Sequence, residues 1–185
     1  MNASTLPGRH RPKVNLGHHA QCFATLLAVS AIFSSCTPAH AVDGCTVLLC
    51  FAAPSWKAIP QCVPPIRQVL RDLARGKAFP SCAMSGAGNS AGNQWAHAPS
   101  LCPPQYTLSF DGPFGPVHQC LYSGAISVSV NGETWSRTWW DLNGGSVTEF
   151  SATAKQQICR WDTQFDDDYA RWLATQPPPS ACLTC

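Results

Sequence analysis

The spacing of its cysteines constrains this chain more than any other feature. Eleven cysteines occur in 185 residues, and nine of them follow a stretch that reads as a secretory leader. That stretch opens with Arg9, Arg11 and Lys13 and continues into the apolar run Phe23 to Phe33. It closes on Ala39-His40-Ala41, a small-x-small pattern of the kind cleaved on export. The run is about 11 residues, against the roughly 20 needed to span a bilayer. The expectation is cleavage after Ala41, delivering the chain to the periplasm. A rival reading takes Phe33-Ser34-Ser35-Cys36 as a lipoprotein box with Cys36 lipidated, but the aromatic three positions before the cysteine suits that box poorly. Beyond the membrane thiols are oxidised, so the cysteines after residue 41 read as disulfide partners. Nine is odd, and at least one must lack a partner within the chain.

Charge narrows the function classes. Three of the twelve Lys+Arg lie in the leader and none of the ten Asp+Glu do, which leaves the rest near neutrality. A nucleic-acid partner needs a strong basic field, and none is present. No second stretch has the length and apolarity of a membrane span, so membrane contact is expected to be peripheral at most. Only 12% of residues are charged, about half the usual share. Cross-links and aromatic packing must then replace surface ion pairs as the source of shape.

Cys45 to Ala53 is a short apolar run ahead of Pro54, open between helix and strand on periodicity alone. Pro64 to Gly76 reads as a helix, with proline at its start and glycine at its end. Ile66, Val69, Leu70 and Leu73 make its apolar face. Four cysteines flank these segments and allow three pairings. If the first run is helical, an antiparallel pair brings Cys50 to Cys62 and Cys45 to Cys82. Chain-entropy arguments give such bridges about 3 and 4 kcal/mol. The opposite face of the second helix carries Arg67, Arg71 and Arg75, with Lys77 just beyond. Such a run ordinarily faces water. The functional alternative is a basic contact strip for anionic lipid head groups or an acidic partner.

Residues 85–104, rich in glycine, serine and asparagine over their first part, read as a flexible linker. Beyond it, Asn131-Gly132 marks a two-residue hairpin. The simplest register sets Val130 against Glu133, Val128 against Trp135 and Ile126 against Arg137. It puts Ile126, Val128, Val130, Trp135 and Trp139 on a buried face and Ser127, Ser129, Thr134, Ser136 and Thr138 on a solvated one. Asn143-Gly144-Gly145 leads to a third strand at Ser146 to Phe150, and Tyr106 to Phe110 to an edge strand ending in an Asp111-Gly112 turn. Ala152 to Trp161 and Phe165 to Trp172 read as helix, broken near Asp162-Thr163. Asp166, Asp167 and Asp168 suit the first turn of the latter through the helix dipole, and they lack the alternating ligands of a calcium loop. The expected fold is therefore α+β. A disulfide-stapled N-terminal helical pair (42–84) precedes a small antiparallel sheet covered by a C-terminal helix (105–176). Residues 177–185 add a proline-rich tail with the C-x-x-C of Cys182 and Cys185.

Signals for chemistry are sparse. His97 and His118 are the two histidines after the leader, and no nucleophile elbow, metalloprotease or dinucleotide motif occurs. Cys120 near His118 is a formal nucleophile pair, outweighed by the oxidising compartment. Glu133, Asp141 and Glu149 are the carboxylates available for glycan hydrolysis, with no cleft implied. No enzyme, metal or cofactor is expected.

Several motifs carry a resemblance. Asp43-Gly44-Cys45-Thr46-Val47-Leu48-Leu49-Cys50, Cys62-Val63-Pro64-Pro65-Ile66, Leu73-Ala74-Arg75-Gly76 and Phe79-Pro80-Ser81-Cys82 resemble the TrbM family of conjugal transfer proteins. Val130-Asn131-Gly132, Trp135 to Trp140 and Phe165 to Tyr169 are similar to its longer members. The resemblance implies an accessory role in conjugal DNA transfer through a type IV secretion apparatus, worked by contacts with protein partners. It carries over no catalytic residue. The alternative class is a cell-wall or glycan-directed binding module or weak hydrolase. Buried tryptophans with an exposed apolar patch would favour the first, and an exposed aromatic platform the second.

Overall fold

The structure, a computed structural model, describes residues 42–177. The leader and cleavage site, Cys36 and the C-x-x-C tail lie outside them. The fold is α+β, with a four-stranded antiparallel sheet, a separate two-stranded ribbon, helices and three disulfides.

The ambiguous apolar run is helix α1, Gly44–Ala52. A local cap decides it. The Asp43 carboxylate accepts from the Thr46 hydroxyl at 2.7 Å and from the Thr46 and Cys45 backbone N–H groups, satisfying donors that a helix start leaves orphaned. Those bonds, the Thr46 hydroxyl foremost, hold the Asp43 carboxyl below its ordinary range. Helix α2, Val63–Ala74, buries Ile66, Val69, Leu70 and Leu73 as its periodicity requires. Disulfides join Cys50 to Cys62 and Cys45 to Cys82. The third joins Cys102 to Cys120, a pairing that spacing alone did not select.

The sheet runs β1 (Ser90–Trp95), β4 (Gly124–Val130), β5 (Glu133–Trp140), β6 (Ser146–Phe150). Strands β2 (Thr107–Gly112) and β3 (Gly115–Cys120) form the ribbon. One face of the sheet offers Ile126, Val128 and Trp140 to Val47, Phe51, Ile66 and Leu70 of α1 and α2, all nearly inaccessible. Each such side chain contributes roughly 1.5–3 kcal/mol on burial. The other face offers Ala125, Trp139 and Val147 to Tyr106 and to Phe165 of the last helix. That helix is α4, Gln164–Thr175, preceded by the short α3, Ala152–Gln157. Each face of the sheet therefore has its own apolar cluster, the usual logic of a layered domain.

Three expectations are corrected here. Residues 90–95 are a strand inside the segment read as a linker. Ser90 pairs with Ser129 and Trp95 with Gly124. An edge strand needs few apolar side chains, and β1 sets only Ala91 and the half-exposed Trp95 against the core, so its composition mimics a loop. Second, the hairpin register slips. Val130 does face Glu133 across the turn, where Asn131 and Gly132 adopt φ of 54° and 85°, the left-handed region that this turn demands. A bulge between Val128 and Ser129 then leaves Trp135 without a partner and sets Val128 against Ser136 and Ile126 against Thr138. The extra residue turns the side-chain alternation over. Ser136 and Thr138 consequently point inward and are buried, not solvated. Both are satisfied: Ser136 Oγ donates to the Phe51 carbonyl at 3.1 Å, and the Thr138 and Thr148 hydroxyls meet at 2.9 Å. The bulged Trp135 donates its indole N–H to the Ala52 carbonyl at 2.8 Å. The bulge thus supplies donors to the orphan carbonyls ending α1 and fixes where that helix meets the sheet. Third, β2 continues through Gly112 and pairs with β3 rather than edging the main sheet.

Candidate functional site

Polar and aromatic side chains converge in a cleft of about 560 Å³ on the sheet face that carries Trp139. Four elements build it. Strand β5 supplies Arg137 and Trp139, β6 supplies Glu149, and α4 supplies Phe165, Asp166 and Tyr169. The fourth is the loop through Gln105, held in place because Trp139 Nε1 donates to the Leu101 carbonyl at 2.9 Å and Cys102 is bridged to Cys120. Trp139 and Phe165 stack with centroids 5.3 Å apart and form the apolar floor. Tyr106 is buried beside them, donating its hydroxyl to Asp168 Oδ2 at 2.6 Å. Burial first, and that carboxylate second, push its phenol pKa well up. Burial likewise raises Tyr122 to about 12. Neither phenol is a candidate base.

The cleft's polar groups differ in how they are satisfied. Both Asp166 oxygens are taken, by Lys155 Nζ at 2.6 Å and Trp161 Nε1 at 3.0 Å. Arg137 donates from Nε to Ser127 Oγ at 3.1 Å, while among the described residues its terminal amino groups have no acceptor. Glu149 stands opposite Arg137 in the strand register but accepts no hydrogen bond among the described residues. Both side-chain amide atoms of Gln105 are buried without a protein partner.

Burial raises the Glu149 carboxyl above its ordinary range, opposed by Arg137 and Lys155. A raised acid binds its proton more tightly folded than unfolded, so it lowers stability as pH rises through the interval between the two values. Glu149→Gln removes that penalty. The variant is expected to melt with the wild type at about pH 3.5 and above it at pH 7, with a gain that solvent screening holds under about 1 kcal/mol. Thermal melts at both pH values check this, and a gain at the lower pH contradicts it.

The other residues singled out by sequence fall elsewhere. Arg67, Arg71, Arg75 and Lys77 are exposed on or just after α2. Lys77 reaches Asp72 at 2.9 Å and Arg75 reaches it at 4.0 Å, while Arg71 donates to the Gln68 side-chain carbonyl, so part of the strip is neutralised locally. In the acidic triplet, Asp166 and Asp167 occupy the first turn of α4. Asp167 accepts from Thr163, and Asp168 from Tyr106 and Arg171. No cluster able to hold a metal ion is present among the described residues. Cys120 is bridged, which removes it as a nucleophile, and His118 instead meets Ser109 at 2.9 Å. Asp141 accepts from the Asn143 and Gly145 N–H groups and shapes a turn. Cys159 is exposed and lies outside the three bridges.

The ribbon β2–β3 presents a second surface. Leu108, Phe110 and Val117 are about half exposed, and Phe114 at the tip is wholly exposed. The register puts Phe110 against Val117 and Leu108 against Gln119 on one face. A two-stranded ribbon is marginal alone, and the Cys102–Cys120 bridge closes its base. No helix among the described residues is long and apolar enough to cross a membrane.

No family model, curated protein or solved structure matches this chain.

Proposed function

We propose that this chain is an exported periplasmic accessory protein of conjugal DNA transfer, acting through protein contacts and catalysing no reaction. The exposed apolar ribbon carries the reading. A near-neutral protein with Leu108, Phe110, Phe114 and Val117 exposed together on one two-stranded ribbon has the surface of a contact protein. Two further observations support it. Trp56, Trp139 and Trp140 are buried, which weighs against the exposed aromatic platform that a glycan-directed surface uses. The three disulfides belong to an oxidising, extracytoplasmic environment. The motifs that resemble the TrbM family supply the process, the secretion-linked transfer of DNA between cells.

The test is a mating assay in the native donor cell. Deleting the gene is expected to lower transfer frequency, and the wild-type gene supplied in trans to restore it. A Phe110→Asp, Phe114→Asp variant, exported at the wild-type level, is expected to restore little. Unchanged mating in the deletion strain would end the reading. Arg71→Glu addresses the basic strip in the same assay: full complementation is the result expected of a solvated helix face.

A further inference from the structure

We propose that the cleft between β5, β6 and α4 is a binding site for a neutral saccharide ring, with Gln105, Arg137 and Glu149 as its polar contacts. The inference stands independently of the role in conjugation. It begins from what is left unpaired. Burying an amide without a partner costs about 1–3 kcal/mol, and both polar atoms of Gln105 are in that position. The guanidinium of Arg137 lies over the Trp139 ring at 5.9 Å and donates from Nε to Ser127, but among the described residues its terminal amino groups, like the carboxyl of Glu149 beside it in the cross-strand register, have no hydrogen-bond partner. A cleft in which three polar groups keep hydrogen-bonding capacity that the described residues leave unused is a site made for something outside the chain.

Their shapes select the ligand. Amide, guanidinium and carboxyl are all planar groups with two polar atoms side by side, the spacing that matches vicinal hydroxyls. Walls of aromatic and proline side chains suit the C–H faces of a sugar ring, and Tyr169 is exposed enough to be touched there. Charge excludes other ligands. Arg137 is balanced by Glu149, and Asp166 by Lys155 at 2.6 Å, so the cleft holds no surplus charge for an anion or a cation. The volume, about 560 Å³, falls within the ordinary range for small-molecule sites. A single ring held edge-on by planar polar groups needs no broad tryptophan platform.

The test is an NMR titration of the oxidised, leader-free chain with cellobiose, maltose and chitobiose, against glucuronic acid, inorganic phosphate and a neutral tripeptide. At least one neutral saccharide is expected to shift the Gln105 side-chain amide and the Trp139 indole N–H resonances saturably, with a dissociation constant of about 1 mM or below. Gln105→Ala should weaken that binding about tenfold while melting at or above the wild-type temperature, because it removes an unsatisfied group. Arg137→Lys keeps the charge, loses the fork and should weaken it too. The proposal is overturned if no neutral saccharide moves these resonances, if the anions or the tripeptide bind as tightly, or if Gln105→Ala binds unchanged.

Discussion

Replacing Cys45 and Cys82 together with serine is expected to lower the stability of the oxidised chain by about 4 kcal/mol. The bridge spans 37 residues, and closing a loop of that length removes that much chain entropy from the unfolded ensemble. The loop contains α2 and all of α1 except Gly44. Without the bridge, α1 keeps its Asp43 cap and the donors of Trp135 and Ser136 at its other end, yet Cys50–Cys62 is then its one remaining cross-link. A domain of this size has ~5–15 kcal/mol in hand, so the loss is a large share of the total. The Cys50–Cys62 bridge closes 12 residues and should be worth about 3 kcal/mol. Urea titrations of the two double-serine variants, with Cys102–Cys120 kept oxidised, measure both. A loss under about 1 kcal/mol for the longer loop would mean that the unfolded chain is already compact there.

How much of this architecture was visible in the residues follows from what each signal depends on. Helix α2 was legible because its determinants are local: prolines at one end, glycine at the other, four apolar residues on one face. The Asn131-Gly132 turn was legible because few other residue pairs adopt its backbone angles. The register beyond it was not. A bulge is set by what the strand packs against, here the end of α1, and nothing within Glu133–Trp140 announces that Trp135 lacks a partner. Strand β1 was missed for the opposite reason. Apart from Trp95 its small and polar residues have little strand propensity to read, and pairing with β4 imposes its conformation. The cleft was invisible because its members come from four separated segments. Glu149 was noted only as an available carboxylate and Arg137 only within the Trp135 to Trp140 strand motif, while Gln105 carries no motif. Their significance lies in hydrogen-bonding capacity left unused, a property of the folded chain alone.

The second large effect is expected at Gly124, where sheet and core leave no room for a side chain. A Cβ built there would lie 2.5–2.7 Å from three atoms of the Trp140 indole. Real Cβ atoms do not approach so closely, so the indole or the strand must shift. The indole has nowhere to go. Trp140 is fully buried, its Nε1 donates to Asn93 Oδ1 at 2.7 Å, and Trp95 packs on it at 5.8 Å. Gly124 itself pairs with Trp95 on one side and Trp140 on the other, at the end of the β1–β4 and β4–β5 ladders. Gly124→Ala is therefore expected to cost about 3 kcal/mol, the upper end of the overpacking range, despite adding one methyl group. Trp140→Phe shortens the ring and should cost ~2 kcal/mol through lost packing and the lost bond to Asn93. The decisive measurement is the double variant. If the clash is the cause, removing part of the indole makes room for the methyl group, and the pair loses about 1–2 kcal/mol less than the sum of the singles. Additive losses would show instead that alanine disturbs the strand backbone at Gly124 and that the Trp140 ring is not what demands glycine there.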